Sequence, residues 1–163
     1  MSALLILLII TVIISGLIAG LSFDVALVKL PTRHRIGYEA YAQFARGNDL
    51  GNGIVVYPVM GVLAVLLIAA TTIVAYIYKL PSSALYLLDI SVVLTIVHSG
   101  CSAIAAPIML SLKHTPDDEA ILKRKLDRFA FWHGFRASFQ LLTFIVLVVA
   151  LAEAMCNLTS CPI

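Results

Sequence analysis

Charge is scarce in this chain: 12% of its 163 residues are charged, against about a quarter in an ordinary soluble domain. Together with 61% hydrophobic residues and a mean hydropathy of +1.04, the deficit excludes a soluble globular fold. A domain this small has no interior large enough to hide so much apolar surface. The net charge of +2 is too weak to hold nucleic acid, so none is expected as a partner. Cysteine is sparse as well. Cys101, Cys156 and Cys161 form no C-x-x-C pair, which speaks against thiol–disulfide oxidoreductase chemistry. The apolar runs hold too few Asp and Glu residues for a di-iron carboxylate centre. No Gly-rich nucleotide loop and no nucleophile elbow occurs. Neither a metal site nor a cofactor is expected.

What remains is lipid-compatible sequence. Four apolar runs cover Ala3 to Phe23, Ile54 to Tyr78, Ala84 to Leu110 and Phe129 to Ala152. Each reaches the roughly 20 residues that a helix needs to cross a ~30 Å hydrocarbon core. Backbone groups find no water there, so each run closes its own hydrogen bonds as a helix. The first run has no basic residue ahead of it and is too long for a signal peptide, so it is read as a retained helix. The expected fold is all-α: a single domain over 1–163 built as an antiparallel four-transmembrane-helix bundle, with helices at about 3–23, 54–78, 84–110 and 116–153.

Lys29, Arg33, Arg35 and Arg46 follow the first run, and Lys113, Lys123, Arg124, Lys125 and Arg128 follow the third. The other side has only Lys79. The positive-inside rule therefore puts both long connections in the cytoplasm and both termini outside, in a multi-pass integral membrane protein. In the first connection, Tyr38, Tyr41, Phe44 and Ala45 recur at helical spacing and predict a short amphipathic helix at the membrane interface. Gly47 ends it, and Asn48 to Gly53 read as a turn. In the second connection Thr115 caps a helix, Pro116 takes its first position, and Asp117, Asp118 and Glu119 favour its positive end. Lys79 to Ser83 form a tight outer turn. Gly16 and Gly20 form a small-xxx-small pair that permits close helix contact.

Polar side chains inside apolar runs are costly, so they point to function. His133, Arg136, Gln140 and Thr143 form one stripe on the fourth helix, with Trp132 beside it. Ser91, Thr95, His98 and Ser102 form a second stripe on the third. By depth, His98 is level with Gln140, and Arg136 with Ser102. Tyr57 and Pro58 on the second helix, and Ser22 and Asp24 on the first, complete a polar pocket in the cytoplasmic half. Each residue also has a plainer role open to it. Arg136 and His133 are close enough to the surface to snorkel or anchor, His98 can bond structurally across helices, and Trp132 and Tyr57 can belong to an aromatic belt. Asp89 lies on another face and is read as a separate interhelical or assembly contact, with Tyr86 as its nearest hydrogen-bond donor. Cys156 and Cys161 bracket a short outer tail and can form a disulfide. Asn157-Leu158-Thr159 matches a glycosylation acceptor.

In layout the chain resembles the small four-helix membrane family that includes the fungal anthrone oxygenases. The resemblance rests on Gly16 to Phe23 leading to Pro31, on Asp49-Leu50-Gly51-Asn52-Gly53 before Tyr57-Pro58, and on Arg128-Phe129 followed by Trp132 to Arg136. It implies a four-helix fold and cofactor-free oxidation of a lipophilic aromatic compound. His98 or His133 would then remove a proton, Arg136 would stabilise the oxyanion, and Trp132 with Tyr57 would stack on the ring, beside Gln140. Two other functions fit the same features: a non-catalytic accessory subunit of a larger membrane complex, and a haem- or quinone-binding protein.

Overall fold

The structure, a computed structural model, describes residues 2–159, and every regular element within them is helical. In chain order these are α1 (Ser2–Asp24), α2 (Leu30–Ile36), α3 (Tyr38–Gly47), α4 (Gly53–Ile77), α5 (Ser82–Ser111) and α6 (Glu119–Thr159). A π-helical turn over Val25–Lys29 links α1 to α2, a second over Asn48–Asn52 links α3 to α4, and a 3-10 turn over Leu112–His114 follows α5. Among the described residues, four helical stretches are long and apolar enough to cross a membrane: Ala3–Ile36, Tyr38–Ile77, Ser82–His114 and Glu119–Cys156.

The first stretch runs well past Phe23, where hydropathy ends it. Asp24 and Lys29 are five residues apart, which a π-turn brings into line, and they form a 3.1 Å ion pair. Pro31 lies within this continuation and supplies no backbone N–H to it. The helix ends only at Gly37, whose φ of +89° suits glycine alone.

The amphipathic α3 occupies the predicted place. It buries Tyr38, Tyr41, Ala42 and Ala45, whereas Phe44 stays 47% exposed and is not part of its packed face. The segment expected as a turn, Asn48 to Gly53, is instead the π-turn, kinked at Gly51 (φ −82°, ψ −115°) and continuous with α4. Arg46 holds α3 against the connection between α5 and α6. Its guanidinium donates to the carbonyls of Leu112 (3.0 Å) and Thr115 (2.7 Å) and to Asp117 (2.7 Å).

The helix cap of α6 also differs from expectation. Asp118, not Thr115, receives the free backbone N–H of Ile121, at 2.9 Å. The Thr115 hydroxyl instead donates to the Ser111 carbonyl and accepts from Lys125 Nζ, both at 2.7 Å. α6 continues beyond Glu153 to Thr159.

Two apolar clusters hold the helices together. One, near the turn between α4 and α5, contains Leu8, Ile68, Ala75, Leu88, Leu147 and Ala150. The other, at the opposite end, joins Leu30, Tyr41, Ala105, Leu112, Leu122, Leu126 and Phe129. α6 packs along both α5 and α1, while α4 and α5 share far less of their length. Thr11 and Thr71 hydrogen-bond at 2.7 Å between α1 and α4. Of the small-residue pair on α1, only Gly16 mediates close approach. A Cβ there would stand 2.8 Å from the Phe144 ring, whereas Gly20 has nothing within 4 Å.

Candidate functional site

Below the contact between α4 and α5 near their turn, the two helices enclose, with α1 and α6, a cavity of about 690 Å³. Most of its wall is aliphatic, including Ile18, Val25, Val62, Val65 and Leu66. At its inner side His98, His133, Arg136, Tyr57 and Asp49 come together. Both π-turns contribute to the lining, through Val25 and Asp49. A π-turn widens the helix and re-aims its side chains, which is why such turns recur at functional sites.

The two histidines are fixed by backbone carbonyls. His133 Nε2 lies 3.1 Å from the Ser22 carbonyl, and His98 Nδ1 lies 3.2 Å from the Arg136 carbonyl. A carbonyl only accepts, so each of these nitrogens carries a proton. His133 is 1% exposed and stacks on Phe129 with ring centroids 5.2 Å apart. Its Nδ1 is buried with no hydrogen-bond partner among the described residues. His98 is less enclosed, at 8% exposure, and the edge of its ring away from Arg136 is the one free to accept.

Arg136 follows His133 by one turn of α6. Its Nε is buried and likewise has no partner among the described residues. The guanidinium faces the Asp49 carboxylate and the Tyr57 hydroxyl electrostatically. Asp49 is buried on the π-turn below α4. Asn48 Nδ2 donates to its Oδ1 at 2.9 Å, and Lys29, Arg136 and Tyr57 act on the same carboxylate electrostatically. An aliphatic chamber with a base, a guanidinium, a phenol and a carboxylate on one side can hold a lipophilic molecule by its body and act on its polar end.

Seven of the residues picked out from sequence therefore line the cavity: Ser22, Tyr57, Pro58, His98, Ser102, His133 and Arg136. Trp132 and Gln140 lie outside it. Trp132 packs edge-on against Phe131, with centroids 5.6 Å apart, and Gln140 is buried further along α6. His98 meets α6 at the Arg136 carbonyl, which points along the helix toward Gln140. Ser22 lines the cavity, while Asp24 turns to Lys29. Asp49 is the member that sequence reasoning missed. The only signal was an acidic residue just ahead of Tyr57-Pro58.

Away from the cavity, Asp89 accepts a 2.7 Å hydrogen bond from Tyr76 of α4 rather than from Tyr86, which is 70% exposed. Cys101 is a buried packing residue of α5. The expected Cys156–Cys161 bridge falls partly outside the described residues, as Cys161 does. Compared with family models, with curated proteins and with solved structures, the chain finds no match.

Proposed function

We propose that this chain crosses the bilayer four times as an antiparallel bundle, and that its cavity binds and oxidises a lipophilic aromatic compound without a cofactor, in the manner of the fungal anthrone oxygenases. The outward faces support membrane insertion. Ile6, Ile13, Leu17, Val59, Leu66, Ile77, Ile96 and Phe131 are all exposed, a surface that lipid accepts and water does not. The basic residues of both long connections support termini on the outer side.

The single observation that carries the enzymatic reading is the pairing at the cavity wall. A histidine held at Nδ1 by a carbonyl stands beside a guanidinium whose Nε has no partner among the described residues. His98 Nε2 would remove a proton from an activated methylene, and Arg136 would hold the resulting oxyanion. The carbanion would add to dioxygen to give a hydroperoxide, which loses water to leave a ketone. One atom of dioxygen ends in the ketone and the other, with both methylene hydrogens, in water. The methylene carbon is oxidised and dioxygen is reduced by the same number of electrons, so no other oxidant is required. Tyr57 and Phe129 supply the aromatic surfaces that Trp132 does not.

The test is oxygen consumption by purified protein in nanodiscs with 9-anthrone as probe. The reading expects one dioxygen consumed per ketone formed, above the uncatalysed rate, and abolished in Arg136→Met. Equal rates with and without protein would overturn it. The Tyr76–Asp89 pair on a face away from the cavity favours a second reading, an accessory subunit, which native mass spectrometry of the membrane extract would reveal as a hetero-complex.

A further inference from the structure

The cavity has a mouth and a floor, and they differ in chemistry. The floor is the π-turn over Asn48–Asn52 with Asp49, Leu50 and Gly53. Behind it α3 closes that end, with Tyr41 buried in the core cluster and Arg46 clamped to the carbonyls of Leu112 and Thr115. The mouth lies between α4 and α5. Five of its lining residues there, Val62, Val65 and Leu66 on α4 and Ala103 and Ala106 on α5, are exposed and apolar, and the hydroxyl of exposed Ser99 is taken up by the Thr95 carbonyl at 2.8 Å.

We propose that the cavity is loaded sideways from the bilayer, through the gap between α4 and α5, by a neutral lipophile bearing a hydroxyl group, and that Asp49 is the acceptor that positions that hydroxyl. The inference rests on the cavity being a ligand site and adds the route, the charge and the polar group of the ligand. Charge is the first argument. Lys29 and Arg136 both act on Asp49, Lys29 is itself paired with Asp24 at 3.1 Å, and the four side-chain charges sum to zero. A net anion or cation would upset that balance in a low-dielectric site, and it would not dissolve in the lipid that borders the mouth.

Hydrogen-bonding capacity is the second argument. Asn48 occupies Asp49 Oδ1, and a carboxylate has acceptor sites to spare. Arg136 Nε has a proton to give. A hydroxyl meets both needs, donating to Asp49 and accepting from Arg136. An ether of the same shape meets only the second. Asp49 is thus a positioning and specificity residue, and the ligand's apolar body lies back toward the mouth.

The experiment measures binding of 2-naphthol and of 2-methoxynaphthalene to the full chain in nanodiscs by equilibrium dialysis, corrected for partition into empty discs. The proposal expects 2-naphthol to bind at least tenfold more tightly than its ether. Asp49→Leu, which removes the acceptor oxygens, should erase that preference. Ala103→Phe, which narrows the mouth, should slow association of 2-naphthol, read by stopped-flow change in its fluorescence, and an unchanged rate would overturn the route between α4 and α5. Equal binding of the two probes to the unaltered chain would overturn the proposal while leaving the cavity a ligand site. Binding of neither would overturn both. Loss of both probes in Asp49→Leu with an unchanged Tm would also overturn it, since the carboxylate would then shape the cavity rather than read the hydroxyl.

Discussion

His98 Nδ1 donates to the main-chain carbonyl of Arg136 across 3.2 Å, joining α5 to α6 beside the cavity. One bond thereby sets three things: the register of the two helices, the tautomer of the imidazole and the direction in which its basic nitrogen points.

A first prediction separates the structural half of that bond from the chemical half. Asn at position 98 can place an amide N–H where Nδ1 stands but has no second ring nitrogen. His98→Asn should keep Tm within a few degrees of the unaltered protein and lower turnover of 9-anthrone by about 10²–10⁴-fold. His98→Ala should lower both, losing about 1 kcal/mol with the hydrogen bond. Calorimetry and oxygen uptake on the two variants check this; full activity in His98→Asn removes His98 as the base.

The Gly16 contact makes a second prediction. A side chain there runs into Phe144, while Gly20 faces open space. Gly16→Val should destabilise the protein by about 1–3 kcal/mol through overpacking, and Gly20→Val should be near neutral. Thermal unfolding of the two variants in detergent compares them directly, and equal effects would mean that α1 and α6 do not approach as described.

The Arg46 clamp makes a third. Its three bonds are the main polar ties between α3 and the α5–α6 connection. Arg46→Ala should leave the four long helices folded but raise amide exchange across Tyr38–Gly47 by at least tenfold. Each hydrogen bond to a charged group is worth about 1.5–3 kcal/mol, less where solvent reaches it. Arg46→Lys should recover only part of the protection, because an ammonium lacks the guanidinium's planar fork. Hydrogen-exchange mass spectrometry reads both, and unchanged exchange would show that burial of Tyr41 alone holds the segment.

How much of this is legible in the chain depends on what each feature needs. The four apolar stretches are plain, because length and hydropathy alone define them. α3 is legible from the spacing of Tyr38, Tyr41 and Ala45, although that spacing wrongly enlists Phe44. The extension of α1 through Val25–Lys29 is not. Charge at Asp24 and Lys29 resembles a loop until the five-residue offset is seen as a π-turn pair. Thr115 and Asp118 are both good caps, and sequence alone does not choose between them. In the site, helical steps put His133, Arg136 and Gln140 on one stripe. They do not say how far along α6 the cavity extends, so Gln140 and Trp132 join the candidates although neither lines it. Asp49 stays hidden because the glycines on both sides make its segment read as a turn.

The central claim is that the space between His98, Arg136 and Tyr57 is a binding site for a planar lipophile inside a membrane. A crystal structure of the protein grown in a lipidic mesophase with 9-anthrone tests it most directly. The account predicts density for a planar tricycle in that space, with its oxygen against Arg136 and its apolar edge toward Val62 and Ala103. A cavity closed by its own side chains, or filled only by an acyl chain with 9-anthrone absent, would contradict it.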